Sequence, residues 1–135
     1  MIMPGIYVHE TMAEPYATQI VTGKKTIETR GRDMLKRFVG KRVLVIRTRA
    51  NKPAEIIGSV EITGKGYWNA QQLDKHRDIT CIPEGSKFDT GESRWAYKLE
   101  NPIELKPIPL NELTVLHKSR SAVFVSFVEG ELLPW

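Results

Sequence analysis

The stretch EPYATQIVTGKKTIETR, residues 14–30, decides the reading of this chain. Glu14-Pro15 opens a helix, because proline is tolerated in a first turn, where its missing N–H has no helical acceptor. Tyr16, Ala17 and Ile20 then make a buried stripe, and Gly23 stops the helix where a left-handed residue commonly ends one. From Lys25 to Arg30 the β-branched content predicts a strand, with Ile27 on one face and Thr26, Glu28 and Arg30 sharing the other.

Working outward, Gly5 to His9 predicts a short strand before the helix. Asp33 is placed to cap a short helix through Phe38, and Gly40 ends that helix before a second strand, RVLVIRTR, at 42–49. The next strand is IIGSVEIT, 56–63, whose Gly58 marks a bulge or a close approach of another backbone. Gly64-Lys65-Gly66 reads as a turn. Asn69 to His76 has helical spacing, and Asp78 to Gly91 reads as a long loop of the kind that serves as a lid. Trp95 to Leu99, Ile103 to Pro107 and Val123 to Val128 complete the β content, with Pro107 and Pro109 at edges or turns. Mostly β with a few short helices points to a small barrel or half-barrel.

With 135 residues the chain is one domain, 1–135, able to bury a core without disulfides or metal. The single cysteine, Cys81, and the absence of a basic, apolar, small-residue leader predict a cytoplasmic location. No apolar run approaches the roughly 20 residues that span a bilayer, which predicts no membrane association. Twenty Lys and Arg against sixteen Asp and Glu give a formal charge of +4 and a pI near 9.3. Lys24, Lys25, Arg30, Arg32, Lys36, Arg37, Lys41, Arg42, Arg47, Arg49 and Lys52 all fall in the first 52 residues, a clustering that favours anionic partners unless it is a solvated surface.

Residues 14–30 resemble the signature of ASCH domains, in which a helix, a glycine and a basic pair lead into a strand ending in Glu-x-Arg. Gly40-Lys41-Arg42-Val43-Leu44-Val45 is similar to that family's second strand, Ile57-Gly58-Ser59-Val60-Glu61-Ile62 to its third, and Trp95-Ala96-Tyr97-Lys98-Leu99 with Pro102 to Pro109 to its closing strands. The resemblance implies an α+β fold, a small PUA-like β-barrel of about six strands flanked by two to four short helices. It also implies a cleft beside the glycine-lysine-lysine turn for single-stranded RNA or a modified nucleoside. Some members are ribonuclease-like, and a small acetylcytidine amidohydrolase uses a lysine, a threonine and a glutamate. By position its lysine falls on Lys25 and its threonine on Glu28, a carboxylate that cannot replace a hydroxyl nucleophile but can act as a general base. Its glutamate has no clean match among Asp78, Thr80 and Glu84.

From the residues alone, Lys25, Glu28 and Arg30 form a charged set at a helix-to-strand junction, either a structural ion pair or a ligand site. Thr26 and Thr29 read as strand residues more than nucleophiles. The binding reading puts Lys24, Lys25, Thr26 and Arg30 on phosphate or base edges, with Tyr67 and Trp68 stacking. Trp95 and Tyr97 are cleft or core, and Trp135 packs at the end of the chain or on a neighbour through Leu132-Leu133-Pro134-Trp135. In a catalytic reading Glu28 deprotonates the nucleophile and Lys25 stabilises negative charge. A third reading is an adaptor without chemistry. His9, His76 and His117 lack metal-ligand spacing, so no metal is expected, and no phosphate loop or nucleotide cofactor is indicated. Ser119-Arg120-Ser121 reads as a solvated turn or a phosphate contact.

Overall fold

A computed structural model describes residues 1–118 and 122–126. Ser119-Arg120-Ser121, Phe127-Val128 and the Leu132–Trp135 segment therefore lie outside the described residues. Among the described residues seven strands, β1 (Ile2–His9), β2 (Ile27–Arg30), β3 (Lys41–Arg49), β4 (Lys52–Trp68), β5 (Arg94–Pro109), β6 (Thr114–Lys118) and β7 (Ala122–Ser126), form one sheet. Three short helices, α1 (Tyr16–Val21), α2 (Ala70–Lys75) and α3 (Arg77–Thr80), complete an α+β architecture.

The sheet runs β2-β5-β4-β3-β1-β7-β6, with β1 parallel to β3 and every other ladder antiparallel. It has one strand more than expected, and its ladder is open among the described residues, so a closed barrel is not formed by backbone pairing. β2 and β1 stand four places apart in the order, yet the Arg30 guanidinium on β2 donates to the Tyr7 carbonyl on β1 at 2.8 Å. The sheet thus curls until its edge strand nears β1, and a side chain spans the seam where a ladder would close a barrel.

Alternation along β3 sends Val43 and Val45 to one face and Leu44 and Ile46 to the other, all of them buried. The first face meets Ala17, Ile20 and Val21 of α1, together with Ile57, Val60 and Ile62 of β4, Tyr97 and Leu99. The second collects Ile56, Leu105, Leu110, Val123 and Val125. A strand apolar on both faces must be covered on both, and α1 covers one of them.

Gly58 fulfils both readings of it. The β4–β5 register shifts beside it, and a Cβ there would collide with the Ile103 carbonyl and the Val21 side chain. Gly23 and Gly40 end their elements at φ +85° and +87°. Several expectations are corrected. Gly64-Lys65-Gly66 is no turn: β4 continues through Trp68, its residues pairing with Trp95 to Lys98. Asp33 caps no helix, because its carboxylate is held by the Tyr97 hydroxyl at 2.7 Å and by Lys65, leaving a single 3-10 turn at Lys36–Phe38. The long loop begins later than Asp78, since Arg77–Thr80 is helical and Cys81 ends it at φ 59°. The two late strands Trp95 to Leu99 and Ile103 to Pro107 are one bulged strand, β5, and β6 has no counterpart in the sequence reading.

Candidate functional site

The seam between β1 and β2 holds a cavity of about 180 Å³. It is lined by the end of β1, by Lys25 and the strand Glu28-Thr29-Arg30, by Tyr16 of α1, by Ile82 and Phe88 of the long loop, and by Arg94 at the start of β5. Two backbone hydrogen bonds set the approach of Lys25 and β2. The Lys25 N–H donates to the Gln19 carbonyl and the Thr26 N–H to Ile79, so the helix-to-strand junction is fixed against α1 and α3 before β2 begins.

Lys25 is 2% exposed although it is a lysine. Its Nζ donates to the Thr80 carbonyl, stands 3.6 Å from Glu28 Oε1 and lies 5.0 Å from the centre of the Tyr16 ring. Burial lowers its pKa, against the opposing pull of Glu28. Glu28 accepts from Arg30 through Nε at 3.1 Å and Nη2 at 2.8 Å, both on Oε2, which leaves Oε1 to face Lys25. Burial acts to raise the Glu28 pKa, but Arg30 and then Lys25 outweigh it and the carboxyl sits below its ordinary value.

The wall opposite is aromatic. Tyr16 and Phe88 meet edge to face at 5.8 Å. Glu14 holds them in place, accepting from the Tyr16 and Ser86 hydroxyls, while the Phe88 N–H donates to Ser86 Oγ at 3.2 Å. Arg77 pins the same loop through Asp89 at 3.0 Å and the Ile82 carbonyl at 3.1 Å. Arg94 donates from Nε to Thr29 Oγ1 at 3.2 Å, and desolvation lowers its pKa.

Of the residues singled out from sequence, Lys25, Glu28 and Arg30 come together on this cavity. Thr29 joins them, whereas Thr26 lines a separate depression with Ile20, Gly23 and Leu99. Lys24 is exposed and outside the cavity lining. Trp68 packs on His76 at 5.1 Å, and Tyr67 packs on Trp95 at 5.0 Å with Lys65 over the Trp95 ring. Neither Tyr67 nor Trp68 lines the cavity, because β4 carries both away along the sheet. Tyr97 is fully buried core. Sequence reasoning missed Phe88 and Arg94. Phe88 is the one aromatic of the long loop, a usable signal, while Arg94 arrives by pairing of distant strands that no local pattern announces. Among the described residues, no three His, Cys, Asp or Glu side chains are grouped to hold a metal.

The family profile of the ASCH domain matches residues 11–109. Among solved structures, a serine-to-alanine variant of the ASCH protein from Zymomonas mobilis superposes with a TM-score of 0.67 at 21% identity, over 94% of this chain and 89% of that one. A tyrosine-to-phenylalanine variant gives 0.63 at 23%, covering 80% and 77%. The unsubstituted protein gives 0.62 at 22%, covering 80% and 75%. At such identities the likeness concerns the fold. No curated relative matches the chain.

Proposed function

The chain belongs to the ASCH domain family, and on that premise we propose that it takes one unpaired base, of single-stranded RNA or of a free modified nucleoside, into the seam between β1 and β2 of a PUA-like fold. The observation that carries this reading is the buried Lys25–Glu28–Arg30 set facing the Tyr16–Phe88 wall across the cavity. Pockets for drug-sized ligands hold about 300–1,000 Å³. At about 180 Å³ this one suits a single small planar group. Lys25 supplies a donor, and Glu28 Oε1, which the grip of Arg30 on Oε2 leaves facing Lys25 at 3.6 Å, supplies an acceptor beside it. A donor and an acceptor side by side match the edge of a base, and RNA readers favour unpaired bases because only these expose that edge.

Hydrolysis of an acylated cytidine or of RNA is the second reading, and the lowered pKa of Lys25 favours it. A buried amine that loses its proton more readily than an ordinary lysine can accept one from an attacking water. Glu28 is the weaker base of the two, because Arg30 holds it ionised. In this version Lys25 takes the proton, and Glu28 with Arg30 orients the amine.

Both readings are tested by titrating the protein with cytidine, acylated cytidines and a short single-stranded RNA while following products by mass spectrometry. Binding without product, weakened at least tenfold in Lys25→Met, supports the binding module. A deacylated or cleaved product that disappears in Lys25→Met supports the hydrolase. No binding and no product across the panel overturns both.

A further inference from the structure

The charged side chains of the cavity do not balance. Lys25, Arg30 and Arg94 face a single carboxylate, Glu28, which is already engaged by Lys25 and Arg30. Among the described residues Arg94 has no carboxylate within 4 Å; it is held instead by Thr29, from Nε to the hydroxyl at 3.2 Å and from Nη2 to the carbonyl at 3.4 Å. Its Nη1 makes no hydrogen bond among the described residues. A Cβ at Gly31 would come within 4.0 Å of Nη1, and the glycine leaves that approach uncovered. A half-buried guanidinium has lost part of its hydration, and nearby Arg30 adds like-charge repulsion, so an anion there is stabilised by both. Guanidinium, unlike ammonium, also offers two parallel N–H donors to one oxyanion group.

We propose that Arg94, oriented by Thr29, is the anchor for a phosphate group, so that the ligand is a nucleotide or an RNA phosphodiester rather than a bare nucleoside. This rests on the reading of the cavity as a base site and adds a second, anionic contact at its β5 side. Thr29 is a positioning residue, since its hydroxyl and carbonyl engage Nε and Nη2 and leave Nη1 beside Gly31 as the donor for the anion.

Inorganic phosphate is the first probe, because it tests the anchor without a base. The side-chain Nε–H signal of Arg94 in a ¹⁵N-labelled sample is followed as phosphate replaces chloride at constant ionic strength. The expected result is a saturable shift of that signal, and a failure of the signal to move overturns the proposal. Arg94→Gln and Arg94→Lys are then compared by calorimetry against cytidine, cytidine 5′-monophosphate and a cytidine dinucleotide. Wild type is expected to bind at least one phosphorylated probe tenfold or more above cytidine, the monophosphate if the source is a monoester and the dinucleotide if it is a diester. Arg94→Gln should erase that preference, bringing the ratio of phosphorylated-probe to cytidine affinity close to one, with Arg94→Lys between. Equal affinity of wild type for all three probes overturns the anchor while leaving the base site standing, whereas loss of cytidine binding in wild type removes the base site itself. The wild-type spectrum keeps the test decisive even where a variant fails to fold.

Discussion

Glu28 is the residue on which the site depends, since two cations are arranged around one buried carboxylate. Removing one partner from a buried ionic set leaves the others uncompensated, at a cost of about 3–5 kcal/mol. Glu28→Gln is therefore expected to lower stability by that order in urea denaturation, and a change below about 1 kcal/mol contradicts the arrangement. The pH dependence follows from the direction of the shift. The folded state holds the Glu28 carboxyl below its ordinary value of 4.5, so the unfolded chain binds its proton first as pH falls. The stabilisation is full above 4.5 and is lost as pH drops through the lower, folded value. Melting curves of wild type and Glu28→Gln should converge in acid and separate towards neutrality. For Lys25 the slope has the same sign, in an alkaline window. Its folded pKa lies below 10.5, so between the two values the unfolded state holds more protons and stability rises with pH there. At this scale the local sequence was informative: GKKTIETR brought Lys25, Glu28 and Arg30 to one place because they lie within six residues of each other. Nothing local could report that Lys25 would be buried, because its burial depends on Thr80 and Tyr16 closing over it.

β4 is the element whose misreading had consequences. Taking Gly64-Lys65-Gly66 as a turn placed Tyr67 and Trp68 at a cleft, whereas the strand, seventeen residues long, carries them along the sheet onto Trp95 and His76. Glycine is the commonest signal of chain reversal, and only long-range pairing with β5 overrides it here. Two of the three glycines of this strand, Gly58 and Gly64, differ in kind, and that difference is testable. Gly58 lies where α1 and β5 close on the bulge, so Gly58→Ala forces Val21 or the Ile103 backbone to move. Overpacking of that type costs about 1–3 kcal/mol. Gly64 has only the Lys98 Cβ, at 4.0 Å, near the corresponding position. Gly64→Ala should be neutral or gain up to about 1 kcal/mol from the smaller freedom of the unfolded chain. Equal effects of the two substitutions in thermal melts would falsify the close approach at Gly58.

For the whole molecule, the sequence places eleven basic residues in the first 52, and the fold redistributes them. Five are committed to carboxylates: Lys25 and Arg30 to Glu28, Arg42 to Glu61, Arg47 to Glu10 and Glu55, and Arg49 to Glu55. Arg37 lies over the Phe38 ring at 4.7 Å. A net charge read from composition counts all of these equally, but a cation already paired with a carboxylate releases few counterions when a phosphate approaches. The balance between a broad RNA groove and a single-base site is therefore set by pairing rather than by the formal +4. For single strands the logarithm of affinity falls with log salt at a slope of about −0.7 per neutralised phosphate. A site with one anchoring arginine and one flanking cation should lose roughly tenfold or less in affinity for a short RNA between about 50 and 200 mM salt. A groove using the whole basic set would lose on the order of 10⁴ over the same range. Affinity measured by fluorescence anisotropy with a labelled trinucleotide across that range distinguishes them. The shallow slope is the expected outcome, because five of the eleven cations that made the sequence look like an RNA groove are already paired with carboxylates.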